Sequence, residues 1–185
     1  QRSGLGQYID ISMTDCVASL NSMAASASLA GQTPQAPEAG MLNGASFYDY
    51  YETQDGRYFS VGSLEPQFMA GLATALELPL LLAKGTSFDA EDRQAVKQAL
   101  QEKFKTQDFV VWQQLFKTLD ICVEPVLSLD EALVSPIAEQ RGWVVDVPLS
   151  ENSEQTEAQL ACPIKFSRSQ IKYAFIGQGL GEGKW

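Results

Sequence analysis

The chain has 185 residues, of which 45% are hydrophobic and 10% aromatic, as expected for one globular domain or for one domain with pieces of a second. Its 13 basic and 23 acidic residues give a net charge of −10, which argues against a nucleic-acid or anionic-membrane partner because both require a basic surface. The chain contains no histidine, which excludes a Ser-His-Asp triad and a histidine-ligated metal within it, and its three scattered cysteines predict neither a disulfide framework nor a zinc site.

The N-terminal segment predicts a strand followed by a helix of small residues. Alternating apolar side chains over residues 8–11 are typical of a strand. Ser12 with Asp15 resembles a capping box, and it opens a predicted helix that runs through about Ala30 and ends at Gly31. Because this helix is rich in Ala and Ser, we expect it to pack closely against a larger element.

The middle of the chain predicts a linker, a hairpin and a helix. Residues 33–46 are rich in Pro, Gly and Ala, as linkers are. Two strand patterns, 47–53 and 57–62, flank a turn in which Gly56 is expected to adopt a positive φ. Pro66 suits the first position of the helix that follows.

Beyond this helix the pattern alternates between helices and strands. Two helices are predicted over about 90–105 and 107–119, the second with Thr106 as its N-cap. The remaining elements are a strand over 121–127, a short helix opened by the capping box of Ser128 and Glu131, a strand over 142–149, a polar acidic loop over 150–159, and an extended, glycine-rich C-terminus.

Glu65 is a candidate functional residue because it stands alone among apolar neighbours in the segment VGSLEPQF. It lies where a predicted strand passes into a helix, so both a helix cap and a catalytic carboxylate fit its position. The other prominent carboxylates are best explained by turns and helix ends; these are Asp55, Asp89, Glu91, Asp92, Asp120 and Asp130. The chain contains no phosphate-binding glycine loop followed by a helix.

Four segments in the same order resemble the family III CoA-transferases, the CaiB/BaiF family, and are most similar to its α-methylacyl-CoA racemase branch. The most specific is YYETQDGRYFSVGSLEPQFMAGL, residues 50–72. The others are GLGQYIDISMTD at 4–15, DICVEPVLSLDEAL at 120–133, and the closing pieces RG at 141–142 and FSRS at 166–169. The final LGEGKW departs from the family pattern, so we do not expect the family's C-terminal helix there.

The resemblance implies an α/β fold that continues beyond this chain. Family members are roughly twice as long, with a large Rossmann-like domain, a small domain and an interlocked dimer. On this basis residues 1–32 end the first pass of the large domain, 33–46 form a linker, 47–148 form a small α+β domain of hairpin, helices and short strands, and 149–185 include an acidic loop and a partial return to the large domain. The sequence accordingly reads as the C-terminal part of a longer protein.

The resemblance also implies a role for Glu65. In the racemase branch this glutamate extends from the small domain of one subunit and orients the catalytic histidine of the partner subunit. The implied reaction removes and returns the proton α to the thioester of a 2-methylacyl-CoA. It needs no metal or redox cofactor, and acyl-CoA is its substrate; no cofactor-binding residue is assigned. The implied partners are a second copy of the full-length chain and no nucleic acid or membrane, and the expected location is the cytoplasm.

Two alternatives remain open. One keeps the family and changes the chemistry to CoA transfer between carboxylic acids, although the glycine-rich small-domain loop of those enzymes is not evident in this sequence. The other is a non-catalytic interaction module, for which the absence of histidine is equally expected. Under either enzyme hypothesis we expect this chain alone to be inactive.

Overall fold

A computed structural model of the chain describes residues 4–33, 40, 42 and 44–177. Its contacts divide the chain into two compact units, Gln1–Pro125 and Val126–Trp185. The division into large-domain pieces, linker and small domain stays a prediction, and most of the predicted linker and the LGEGKW end lie outside the described residues. In the part of the chain described, no helix is long and apolar enough to cross a membrane.

The N-terminal segment forms two short helices, α1 (Met13–Leu20) and α2 (Ser22–Leu29), which meet at Asn21. The predicted N-cap is confirmed, because the Ser12 hydroxyl accepts the Asp15 N–H at 3.4 Å. The predicted strand at 8–11 is wrong: no described segment pairs with it, and its apolar side chains are exposed. A strand requires a hydrogen-bonded neighbour. Neither helix buries a residue, so the packing partner expected for them is not among the described residues.

A three-stranded antiparallel sheet forms the centre of the first unit. Its strands are β1 (Asp49–Glu52), β2 (Tyr58–Val61) and β3 (Val123–Pro125), in the order β1-β2-β3. The predicted hairpin is confirmed, and Gly56 in its turn has a φ of +79°. The third strand returns from more than sixty positions later in the sequence and pairs with β2, so that Val61 faces Val123.

Four helices complete the first unit: α3 (Pro66–Ala75), α4 (Pro79–Lys84), α5 (Ala90–Phe104) and α6 (Phe109–Phe116). Helix α5 packs against β1 and α6 against β3, whereas α4 packs against α3 and α5. The Pro66 start of α3 and the predicted α5 are confirmed. The six-residue α4 was not predicted, because it is too short to show helical periodicity. The third predicted helix was extended too far, since α6 ends at Phe116 and Leu119 is exposed.

Aromatic side chains fill the space between the sheet, α5 and α6. The Phe104 ring stacks on Tyr51 with centroids 5.3 Å apart and lies 5.5 Å from Trp112, whose indole N–H donates to the Phe104 carbonyl at 2.8 Å. Phe59 contacts Phe109 at 4.8 Å. The rings of Tyr51, Phe59 and Phe104 are fully buried, so they form the core of the first unit.

The start of α6 is held by the hairpin turn. The prediction that Thr106 is the N-cap of α6 is wrong. The N-cap is Asp108, whose side chain makes no cap hydrogen bond. Instead the Asp55 carboxylate accepts the Phe109 N–H at 3.0 Å and the Thr53 hydroxyl. The hydrogen bond from the Thr53 hydroxyl has the largest effect in lowering the pKa of Asp55, and the bond from Phe109 lowers this pKa further. A side chain from a distant turn therefore supplies the cap.

Strand β1 lies at one edge of the described sheet, and a charged pair covers part of that edge. The Asp49 carboxylate accepts the Tyr50 N–H at 2.8 Å with one oxygen and the Lys97 ammonium at 2.6 Å with the other. Lys97 also donates to the Gly44 carbonyl at 2.8 Å. This arrangement ties α5 to the edge strand.

The second unit contains α7 (Leu129–Leu133), α8 (Pro136–Arg141) and a two-stranded sheet. The predicted capping box of α7 is confirmed, whereas α8 was not predicted. The predicted strand β4 (Val144–Pro148) pairs with β5 (Thr156–Leu160). The acidic loop prediction is therefore partly wrong, because polar residues form β5 by pairing across a short connection. With the first unit, the described residues contain eight helices and two small antiparallel sheets, a mixed α/β fold as predicted.

Candidate functional site

Glu65 lies at the N-cap of α3, between the end of β2 and the first residue of the helix, Pro66. Its backbone is extended, with φ −66° and ψ 140°, and its carbonyl accepts the Met69 N–H at 2.9 Å. Its side chain makes no cap hydrogen bond. Within the described residues the exposed carboxylate also has no hydrogen bond or ion pair. A capping side chain would accept an N–H of the first turn, so capping does not explain this glutamate.

Two of the three residues that precede Glu65, Gly62 and Ser63, are attached to the chain just before β3. The Cys122 carbonyl accepts the Gly62 N–H at 2.7 Å and the Ser63 hydroxyl at 3.3 Å. Ser63 is fully buried, and the Leu64 N–H donates to the Gly62 carbonyl at 2.8 Å. These hydrogen bonds therefore define the backbone conformation of the loop that leads to Glu65.

Two glycines allow this close packing. A Cβ on Gly71 would lie 2.7 Å from Cγ2 of Ile121, so a larger residue would push α3 away from the segment before β3. A Cβ on Gly62 would lie 3.2 Å from the Tyr48 ring. The close approach of α3 to Ile121 thus depends on the absence of a side chain at Gly71, and the loop before Glu65 leaves little room for one at Gly62.

Three carboxylates, one of them Glu65, act electrostatically on the thiol of Cys122. Desolvation raises the pKa of the Cys122 thiol, and the negative charges of Glu65, Asp120 and Glu124 raise it further. A group of carboxylates favours a positively charged partner, because each lowers the electrostatic energy of a nearby cation. The region around the Cys122 thiol therefore favours a cation over an anion.

Three of the other predicted carboxylates, Asp55, Asp89 and Asp92, have structural partners. Asp89 caps α5 by accepting the N–H groups of Glu91 and Asp92 at 2.9 and 3.1 Å. Asp92 pairs with Lys84 at 2.6 Å and accepts the Ser87 hydroxyl, and these contacts, Lys84 first, lower the pKa of Asp92. These residues stabilise helix ends, as predicted for them.

Ser63 and Cys122 were missed as parts of this site. Ser63 lies inside the segment VGSLEPQF, but a serine three positions before a helix gives no sign that its hydroxyl is buried. Cys122 is 59 positions away along the chain, and only the pairing of β2 with β3 brings it to the Glu65 loop. Only a prediction that β2 pairs with β3 could have placed Cys122 beside this loop from the sequence.

The model of the family "CoA-transferase family III" matches residues 1–177. The chain is 36% identical over 138 residues to the α-methylacyl-CoA racemase of Mus musculus, which covers 71% of this chain and 35% of the mouse protein. It is 31% identical over 147 residues to the α-methylacyl-CoA racemase of Homo sapiens, which covers 76% of this chain and 37% of the human protein. The chain thus spans little more than a third of the length of these relatives.

Solved structures share the fold. A CaiB/BaiF family protein from Brucella suis aligns with a TM-score of 0.70 at 23% identity, over 98% of this chain and 47% of that one. Rv3272 from Mycobacterium tuberculosis aligns with a TM-score of 0.67 at 15% identity, over 90% of this chain and 43% of that one. These likenesses confirm the fold class, and with the family match over residues 1–177 they lead to one conclusion: the chain belongs to CoA-transferase family III.

Proposed function

We propose that this chain is the C-terminal part of an α-methylacyl-CoA racemase-like enzyme that inverts the α-carbon of 2-methylacyl-CoA thioesters. The observation that carries the proposal is the exposed Glu65 carboxylate, which begins a helix without capping it and has no partner among the described residues. The similarity to the mouse and human racemases supports the choice of reaction. We call the full-length protein to which this chain would belong the parent protein.

In this proposal Glu65 orients a histidine of the partner subunit. A carboxylate that accepts one imidazole N–H fixes the tautomer, so the other nitrogen faces the substrate as a base. That nitrogen takes the proton α to the thioester carbonyl: the C–H bond breaks, an N–H bond forms, and the electron pair passes into an enolate. Hydrogen-bond donors stabilise the enolate oxygen, and a second acid returns a proton to the opposite face.

The charges around Glu65 fit the first of these steps. Proton abstraction converts a neutral imidazole into an imidazolium, and Glu65, with Asp120 and Glu124 close to the same thiol, lowers the energy of that cation. The same acidic surroundings would disfavour binding of a CoA phosphate beside Glu65. The phosphates are therefore expected to bind elsewhere in the parent protein.

A second candidate is CoA transfer between carboxylic acids, which the family-level match favours because it names that activity. In this reaction a carboxylate forms a mixed anhydride with the acyl group and then a thioester with CoA. The α-proton of the acyl group is not exchanged. The two candidates therefore differ in the fate of a single hydrogen.

The test is to incubate the dimeric parent protein with one stereoisomer of a 2-methylacyl-CoA in deuterated water. Racemisation predicts deuterium at the α-carbon and loss of stereochemical purity at comparable rates, whereas a 2,2-dimethylacyl-CoA control has no α-proton and should be unchanged. A parallel assay with a free carboxylic acid as acceptor measures CoA transfer. Transfer without deuterium uptake would overturn the racemase proposal in favour of the second candidate. The absence of both activities would favour a non-catalytic module.

A further inference from the structure

The loop before Glu65 is anchored at a single backbone oxygen. The carbonyl of Cys122 accepts both the Gly62 N–H, at 2.7 Å, and the Ser63 hydroxyl, at 3.3 Å. Because Ser63 is fully buried, water cannot replace its hydroxyl without opening the loop. The anchor therefore fixes the backbone direction two residues ahead of Glu65.

Helix α3, which follows Glu65, has an anchor of its own on Ile121, the residue before Cys122. At Gly71 a Cβ would lie 2.7 Å from Cγ2 of Ile121 and 4.0 Å from the Asp120 carbonyl. Helix α3 thus rests against the same short segment that holds the loop. The two contacts lie on either side of Glu65 in the sequence.

We propose that these two contacts with residues 121–122 set the direction of the Glu65 carboxylate, and that Ser63 is a positioning residue for it. The inference rests on the proposed function, since the direction of the carboxylate matters only if it must meet a partner group. The Glu65 carboxylate has no hydrogen bond of its own among the described residues, so its direction is set by the backbone that carries it. A displacement of about 1 Å in a positioned group can reduce a rate on the order of 10²-fold.

The Cys122 thiol provides a local probe of the position of Glu65. It is exposed, and the Glu65 charge is one of the influences on its pKa. In this 185-residue chain with Cys16→Ser and Cys162→Ser, the rate of alkylation by iodoacetamide as a function of pH measures the pKa of Cys122 alone. This readout does not depend on any activity, and a comparison in the Glu65→Gln background separates the effect of the Glu65 charge from a general change in stability.

Glu65→Gln should lower the pKa of Cys122, because it removes a negative charge that disfavours the thiolate. Ser63→Ala should lower it too, because a released loop no longer holds the carboxylate beside the thiol. In the Glu65→Gln background, Ser63→Ala should cause no further shift. An unchanged pKa in Ser63→Ala, or a shift that persists in the Glu65→Gln background, would overturn the positioning role.

The second anchor is tested by a size exchange. Gly71→Ala should push α3 from Ile121 and shift the pKa of Cys122, and adding Ile121→Ala should restore the value by removing the clashing Cγ2. Circular dichroism confirms that each variant is folded, and Gly71→Ala with an unchanged thiol pKa would overturn the second anchor. In the parent protein, Ser63→Ala should lower kcat and leave KM unchanged. Failure of the parent to exchange α-protons while the thiol shifts occur would overturn only the proposed function.

Discussion

Asp55 and Phe109 are joined by a hydrogen bond of 3.0 Å between a carboxylate oxygen and a backbone N–H that lie 54 positions apart. The same carboxylate accepts the Thr53 hydroxyl, and the Gln54 N–H donates to the Gln107 carbonyl at 3.0 Å. The hairpin turn is thereby fixed to the start of α6. Residues that form a two-strand turn also define where a distant helix begins.

The first prediction concerns Asp55→Ala. Because the pKa of Asp55 is lowered in the folded chain, its contribution to stability is complete above the ordinary value of 3.8 and is lost as the pH falls through the lowered value. The variant should be less stable than the wild type near neutral pH, and the difference should shrink in acid. Urea denaturation at several pH values measures this.

Asp108→Ala is the matched control, because Asp108 occupies the N-cap of α6 but makes no side-chain cap hydrogen bond. It should destabilise the chain less than Asp55→Ala near neutral pH. Equal losses for the two variants, or a loss for Asp55→Ala that does not vary with pH, would contradict the assignment of the cap to Asp55.

The second prediction concerns the aromatic core. Phe104 is fully buried and contacts both Tyr51 and Trp112, so Phe104→Ala should reduce the free energy of unfolding by about 3–5 kcal/mol. Val110→Ala on the exposed side of α6 should change it by about 0.5 kcal/mol or less. Chemical denaturation followed by tryptophan fluorescence compares them. Similar small losses would show that Phe104 is not central to the core.

The third prediction concerns Glu65→Gln in the parent protein. If Glu65 stabilises the imidazolium of a partner histidine, the rate of α-proton exchange should fall by a factor on the order of 10²–10⁴. Stability should hardly change, because the side chain makes no cap hydrogen bond. Deuterium incorporation and thermal denaturation are measured on the same preparation. Normal turnover with a lowered melting temperature would mean that Glu65 supports the helix and not the reaction.

The fourth prediction is that this 185-residue chain alone does not exchange the α-proton of a 2-methylacyl-CoA in deuterated water. The chain has no histidine, so it lacks the base to which Glu65 would be paired. Mixing it with the separately expressed remainder of the parent protein provides the positive control. Exchange by the chain alone would contradict the proposed pairing of Glu65 with a histidine that this chain lacks.

The sequence predicted the elements whose signals are local. The Gly56 turn, the Pro66 helix start and the capping box of Ser128 and Glu131 each need only a few neighbouring residues, and all are confirmed. The Tyr8–Ile11 strand failed because a strand also needs a partner, which a local pattern does not supply.

The site was predictable only in part for the same reason. Glu65 stands out locally, and its position at the start of α3 was expected. The buried state of Ser63 and its bond to Cys122 depend on the pairing of β2 with β3 across a long interval of sequence. The Asp55 contact with Phe109 likewise joins two segments that no local pattern connects, so Thr106 was chosen as the cap instead.

The ion pair of Asp49 and Lys97 has a consequence for how the chain behaves in concentrated solution. An edge strand with free backbone groups is a template on which another chain can extend the sheet and begin to aggregate. Here the Tyr50 N–H is already occupied by Asp49, which Lys97 holds in place, so an incoming strand would have to displace a charge-assisted contact first. Self-association by extension of the sheet at β1 should therefore be disfavoured, whereas the exposed side chains of α1 and α2, such as Leu20 and Met23, offer an apolar surface for association that adds no β-structure.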